Sequence, residues 1–279
     1  MARHPGTTRS VSARLFPVGA PVRAAGIALL GATLAACSTR GVELVGTATD
    51  EWSRSYSLQE GGEFQIVGAN GTIDVVGGSG SAIEVRADRV VRAQSDASAK
   101  SIAARVRITE DVSPEKVVLR TEGLGGGIII GVEIAVNYHV TLPASTRARL
   151  HTANGDVSVA NVSGIVVAST TNGRIIGKAL GGGVDARTSN GSIAMDLAAV
   201  SKDAVDLRTT NGGIELTLPA SANANVEASC RNGSIDVAGL PLQLTVEQDR
   251  RRARGRLNDG GTPVEASTTN GNIRIRPRS

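Results

Sequence analysis

The residues best suited to chemistry are four acids in register. Asp185, Asp206, Glu227 and Glu265 each stand five positions before an Asn-Gly pair. Stacked on one face of a repeat they would form a row of carboxylates, and like charges so close suit either a Ca²⁺ site or an acid with a raised pKa for glycan cleavage. Arg187 and Arg208 follow the first two acids by two positions, so intercoil ion pairs offset the same repulsion without any catalysis. The ion-paired ladder is the expected arrangement, because no aromatic floor for stacking a sugar accompanies the acids.

Other routes to chemistry are thinner. A nucleophile needs a base beside it, and past the first 36 residues the only histidines are His139 and His151. His139 alternates within a strand and His151 falls on the outward parity of a coil, so both read as surface or edge histidines, and no serine sits in a Gly-x-Ser-x-Gly elbow. These two histidines and Cys230 lack zinc-ligand spacing, and Cys230 is expected to be a small buried hydrophobe. Gly123-Leu124-Gly125-Gly126-Gly127 has no following Lys-Ser/Thr and reads as a turn. The five arginines between Arg250 and Arg256 suit a polyanion contact or a charged loop or edge strand, and the neutrality of the remaining chain favours the second. No catalytic residue, metal or cofactor is expected.

The elements that would position these residues come from a repeat. Asn-Gly occurs at Asn70, Asn154, Asn172, Asn190, Asn211, Asn232 and Asn270, with spacings from Asn154 onward of 18, 18, 21, 21 and 38. The last interval is close to two periods, so an unmarked coil is expected between Asn232 and Asn270. Six before the Asn stand Ala148, Val166, Val184, Val205, Val226 and Val264; two before stand Thr152, Thr170, Thr188, Thr209, Cys230 and Thr268. Three after stand Val157, Ile175, Ile193, Ile214, Ile235 and Ile273. Period-two alternation whose parity shifts across Asn-Gly means two short strands meeting at a corner, where Gly is expected to supply a positive φ. Equal spacing favours coils over hairpins. The predicted fold is all-β, a single-stranded β-helix or solenoid with 18–21-residue coils, like residues stacking on like, regular from about residue 148. Phe64 to Val75 repeats the unit upstream, and Ser95 to Ala104 predicts one short helix in the N-terminal half. Strands are expected at about Lys116–Arg120 and Ile128–Thr141.

The formal charge of +4 is wholly that of Arg3, Arg9, Arg14 and Arg23, which precede the apolar stretch Ala24–Ala36. The rest is neutral and its aromatics are Trp52, Tyr56, Phe64 and Tyr138, so nucleic-acid binding is excluded. The apolar stretch is too short to span a bilayer, which needs roughly 20 residues, and reads as a secretory signal. Leu34-Ala35-Ala36-Cys37 resembles the bacterial lipobox. That resemblance implies cleavage before Cys37 and its attachment to a membrane by acyl chains such as palmitate; Ser38 resembles the outer-membrane sorting preference of Gram-negative lipoproteins. The expected organisation is a signal peptide over 1–36, a tether over 37–61 and a solenoid domain over 62–279. Trp52 and Tyr56 are placed to cap its edge.

The repeated Thr-x-Asn-Gly-x-Ile unit, the strand Val136–Pro143 and the single helix resemble the bacterial putative-adhesin β-helical domains of unknown function, related to the head GIN domains. The resemblance covers about Gly62–Arg276. It implies an envelope-tethered β-helix with no established catalytic residues. The functional expectation is therefore a non-enzymatic, envelope-anchored adhesin-like or scaffolding lipoprotein, partnered by the membrane through its lipid and by a surface glycan or envelope protein. The alternatives are a glycan-active β-helix enzyme using the acidic row and an accessory module in envelope-stress sensing.

Overall fold

The computed structural model describes residues 43–123, 131–244 and 250–278. The expected signal peptide, Cys37 and most of the glycine-rich stretch lie outside them. Strands β1 (Gly46–Ser57), β2 (Glu63–Val67), β3 (Ile73–Gly78) and β4 (Ala82–Ala93) precede helix α1 (Asp96–Ala103). Then come β5 (Arg107–Val112), β6 (Lys116–Glu122) and β7 (Val132–Pro143). Coils with an Asn-Gly corner follow: β8 (Arg147–Asn154) with β9 (Val157–Ala160), β10 (Val166–Asn172) with β11 (Ile175–Leu180), and β12 (Val184–Asn190) with β13 (Ile193–Leu197). Next are β14 (Val205–Asn211) with β15 (Ile214–Leu218), and β16 (Ala224–Asn232) with β17 (Ile235–Val237). Strands β18 (Leu242–Leu244) and β19 (Arg252–Leu257) separate these from a last coil, β20 (Thr262–Asn270) with β21 (Ile273–Pro277).

Each coil forms for the reason its sequence suggests. In the coil around Asn190, Val184, Ala186 and Thr188 alternate into the core, the chain turns at Asn190-Gly191, and Ile193, Met195 and Leu197 alternate inward again. The β-branched residues suit a half-buried pleated strand. One strand of every coil joins one sheet and the other joins the second sheet, parallel and in register, so Val184 pairs Val166 and Val205, and Asn190 pairs Asn172 and Asn211. Burying Ile193 completely is worth about 1.5–3 kcal/mol, and the same inward position recurs level after level.

The stacking order departs from chain order. From end to end the levels are β6/β7, β2/β3, β8/β9, β10/β11, β12/β13, β14/β15, β20/β21 and β16/β17. The C-terminal coil thus enters between the Asn211 and Asn232 coils, and the described residues between Asn232 and Asn270 form no unmarked coil of the expected kind. The stretch assigned to it contains no Asn-Gly corner to carry it from one sheet to the other; β19 instead lies antiparallel on β16, with β18 antiparallel beyond it. At the other end β2/β3 enters between β6/β7 and β8/β9. With levels about 4.8 Å apart, the first and last are roughly 34 Å apart.

Antiparallel strands finish both ends. Strands β4 and β1 continue the sheet beyond β7, and β5 lies beyond β6. Gly46–Ser57, expected within the tether, is therefore an edge strand paired along its whole length with β4. Helix α1 begins where expected: the Ser95 hydroxyl accepts from the Ser98 N–H at 3.2 Å, and Ala99 and Ile102 are buried. Tyr56 donates to Glu110 Oε2 at 2.6 Å, tying the two sheets at this end, and burial followed by that bond pushes its pKa up. Arg54 lies 3.5 Å from Glu110 and 5.2 Å from the centre of the Trp52 ring, so both aromatics expected at the edge sit in this cap.

Candidate functional site

The seven corner asparagines line up as one exposed column. Asn154 donates through Nδ2 to Asn70 Oδ1, Asn172 to Asn154, Asn190 to Asn172 and Asn211 to Asn190, at 2.7 to 2.9 Å. Asn270 then donates to Asn211 at 2.7 Å and Asn232 to Asn270 at 2.8 Å. The inserted C-terminal coil supplies Asn270 as the rung between Asn211 and Asn232.

Behind it the threonines are buried, but they do not bond to each other as like residues in a stack would. Thr170, Thr188 and Thr209 donate to the carbonyl oxygens of Gly155, Gly173 and Gly191 at 2.9 to 3.0 Å, each on the preceding level. Thr268 repeats this to Gly212 at 2.9 Å. Buried hydroxyls are thereby satisfied. Cys230 occupies the same column, 7% exposed, with Sγ 3.7 Å from the Arg250 carbonyl.

The expected positive φ is found at four of the seven corner glycines, Gly71, Gly155, Gly233 and Gly271, and a second reason for glycine applies at all seven. A Cβ at Gly191 would stand 1.9 Å from the Gly173 carbonyl oxygen, and one at Gly271 would stand 2.0 Å from that of Gly212. Close approach of successive backbones is common to all the corners, whereas a positive φ is not. A second group of corner side chains lies outside the columns that the repeat makes visible. Asn137, Asp156 and Asn272 accept from the backbone N–H of Thr72, Arg174 and Ser234 on the next level at 2.8 to 3.0 Å. Their signal was a side-chain acceptor two residues past the corner, or in line with that position.

On the outer face of the β12/β14/β20/β16 sheet the acidic row is present in the order Asp185, Asp206, Glu265, Glu227. Arg187 lies 3.0 Å from both Asp185 and Asp206; Arg208 lies 2.7 Å from Asp206 and 3.4 Å from Glu265. Glu227 pairs with Arg254 at 3.0 Å. The hydrogen bond and charge of Asp206 hold the Arg208 pKa above its ordinary value. Arg252, Arg254 and Arg256 alternate outward along β19 while Ala253 and Leu257 are buried, so the arginine run includes a charged strand near a sheet edge. Further along that face, His151 Nδ1 is 2.9 Å from the Ser169 hydroxyl.

A shallow hollow of about 780 Å³ lies over the other sheet, lined by Arg54, Asp74, Glu84, Arg86, His139 and Thr141 among others. His139 stands between two carboxylates, with Nδ1 3.5 Å from Asp74 and Nε2 3.4 Å from Asp88. Arg86 lies 3.3 Å from Asp88. The sequence placed His139 on a strand surface but gave no sign of these neighbours, which the β3–β7 and β4–β7 pairings bring together.

Stacked two-strand coils, in-register polar columns and antiparallel strands over both ends define a β-solenoid, a repeat architecture in which each unit buries its apolar face on its neighbours. The chain belongs to the Toastrack DUF4097 family, whose model matches residues 137–276. Among solved structures, the chain resembles a putative cell adhesion protein from Clostridium sporogenes, at 11% identity over 83% of this chain and 100% of that one, with a TM-score of 0.48. It also resembles a putative adhesin from Bacteroides fragilis, at 11% identity over 82% and 97% of the two chains, with a TM-score of 0.35. No curated protein matches the chain. Among the described residues no helix is long and apolar enough to cross a membrane.

Proposed function

We propose that the chain is an envelope-anchored, non-enzymatic adhesin-like or scaffolding lipoprotein, held at Cys37 by acyl chains and offering its solenoid faces to a surface glycan or envelope protein. The observation that carries this reading is the acidic row: all four carboxylates are engaged by Arg187, Arg208 or Arg254. Carboxylates so engaged brace the coils against each other. The Leu34-Ala35-Ala36-Cys37 motif supports the anchor, and a secreted, membrane-held chain fits a surface role.

The test joins address to activity. Growth with a clickable fatty acid should label the wild type and not Cys37→Ala, and equal labelling of the two would remove the anchor. The chain from Ser38 onward, passed over immobilised envelope glycans and proteins, should be retained without generating new reducing ends. Cleavage of a uronate polymer that Ca²⁺ stimulates and Asp206→Asn abolishes would replace the adhesin reading with a glycan-active enzyme.

A further inference from the structure

We propose that Asn232 is a site of spontaneous self-modification: its side chain deamidates through attack by the Gly233 backbone nitrogen, while the stack protects the other six Asn-Gly pairs from that reaction. Asn-Gly is the dipeptide in which this chemistry is easiest, since no side chain shields the attacking nitrogen and Gly reaches the required conformation freely. Seven copies of one reactive unit in one chain would age alike if sequence alone decided.

The fold separates them. At six corners the glycine N–H is already donating, to the corner Asn carbonyl of the neighbouring level. Gly71 reaches Asn154 at 2.8 Å, and Gly155 reaches Asn172 at 2.9 Å. Gly173 reaches Asn190 and Gly191 reaches Asn211, both at 3.0 Å; Gly212 reaches Asn270 and Gly271 reaches Asn232, both at 2.9 Å. Gly233 belongs to the last level, beyond which no further Asn-Gly corner is stacked, and its N–H has no partner among the described residues. It is also the one glycine of the seven corners that is exposed, the other six being half-buried.

The electrophile differs in the same sense. Inside the ladder each carboxamide is fixed at both ends, through Nδ2 to one neighbour and through Oδ1 to the other. Asn232 donates through Nδ2 to Asn270 but accepts from no further rung. Asn70, at the opposite end, accepts from Asn154, and the Gly71 nitrogen beside it is held. Only at Asn232 do a free nucleophile and a half-tied electrophile coincide.

The step conserves its atoms simply. The Gly233 nitrogen gives up its proton and bonds to Asn232 Cγ, the adduct expels Nδ2 as ammonia, and a five-membered succinimide remains. Solvent water opens either carbonyl of the ring, leaving aspartate or isoaspartate; nothing is oxidised or reduced. The product has lost the Nδ2 donor and sets a carboxylate against Asn270 Oδ1, acceptor facing acceptor, so the last rung opens and the remaining six stay joined.

The test is a time course on the full-length native protein at mildly alkaline pH, with digestion at acid pH and mass spectrometry of each Asn-Gly peptide, beside a sample held unfolded in urea. In the native protein Asn232 should convert about ten-fold or more faster than any other corner, the advantage of not first having to break two ordinary hydrogen bonds. In urea the seven should convert at similar rates. Equal rates in the native protein would overturn the proposal, and so would the same lead for Asn232 in urea, which would trace it to local sequence.

Discussion

Gly191 marks the least forgiving kind of position in the molecule, because a single methyl group there meets the backbone of the preceding coil. A Cβ 1.9 Å from the Gly173 oxygen cannot be accommodated by a side-chain rotation, so Gly191→Ala should cost several kcal/mol by forcing two levels apart. Urea unfolding should show a large fall in midpoint, and a midpoint within error of wild type would refute the close approach. Glu63 makes a milder, pH-dependent contribution. The hydrogen bond from Lys116 at 2.8 Å, helped by Lys116 and Arg149 charge, holds its pKa below the ordinary 4.5. A carboxylate depressed on folding stabilises above its unfolded pKa and loses that contribution as pH falls through the folded value. Glu63→Gln should therefore cost up to about 1 kcal/mol near neutrality, discounted for its partial exposure, and nothing in strong acid. An equal loss at both pH values would show that the ion pairs are not its source. The sequence indicated the corner glycines and half of the reason for them: an isolated Asn-Gly suggests the special φ that four of the seven adopt, and only the stacked neighbour reveals the crowding that all seven share.

At the scale of the coil, the two-residue alternation and its parity shift at Asn-Gly made the inward columns legible, because side-chain direction in a strand is a local property. Ile193, 0% exposed, and its half-buried neighbour Ser192 test this directly. Ile193→Asp places an unpaired charge in the core and should cost several kcal/mol, while Ser192→Asp should stay within about 0.5 kcal/mol of wild type. Comparable urea midpoints for the two variants would contradict the parity. The helix was equally legible from its Ser95 cap. Strand β1 was not, since its serine- and threonine-rich sequence becomes a strand only through pairing with β4. The His139 hollow was illegible for the same reason: Asp74, Asp88 and His139 lie on three strands whose adjacency no local pattern encodes.

For the solenoid as a whole, regular spacing predicted coils but could not give their order, because every coil offers its neighbours nearly the same in-register face. Two equivalent faces let the C-terminal coil enter the stack one level early, and the hairpin-like strands β18 and β19 then lie over the coil it displaced. This insertion places Asn270 between Asn211 and Asn232 in the asparagine ladder, puts Glu265 rather than Glu227 beside Arg208 and leaves Asn232 as the final rung. Cysteine cross-linking in a chain carrying Cys37→Ser and Cys230→Thr tests it most directly. Arg208 and Ser267 are paired neighbours, whereas Ser229 lies one level further on. With levels about 4.8 Å apart, adjacent positions fall within disulfide reach and positions two levels apart, near 10 Å, do not. Arg208→Cys with Ser267→Cys should form a disulfide under mild oxidation, and Arg208→Cys with Ser229→Cys should remain reduced; the opposite pattern would mean that the coils stack in chain order and that the inserted ladder does not exist.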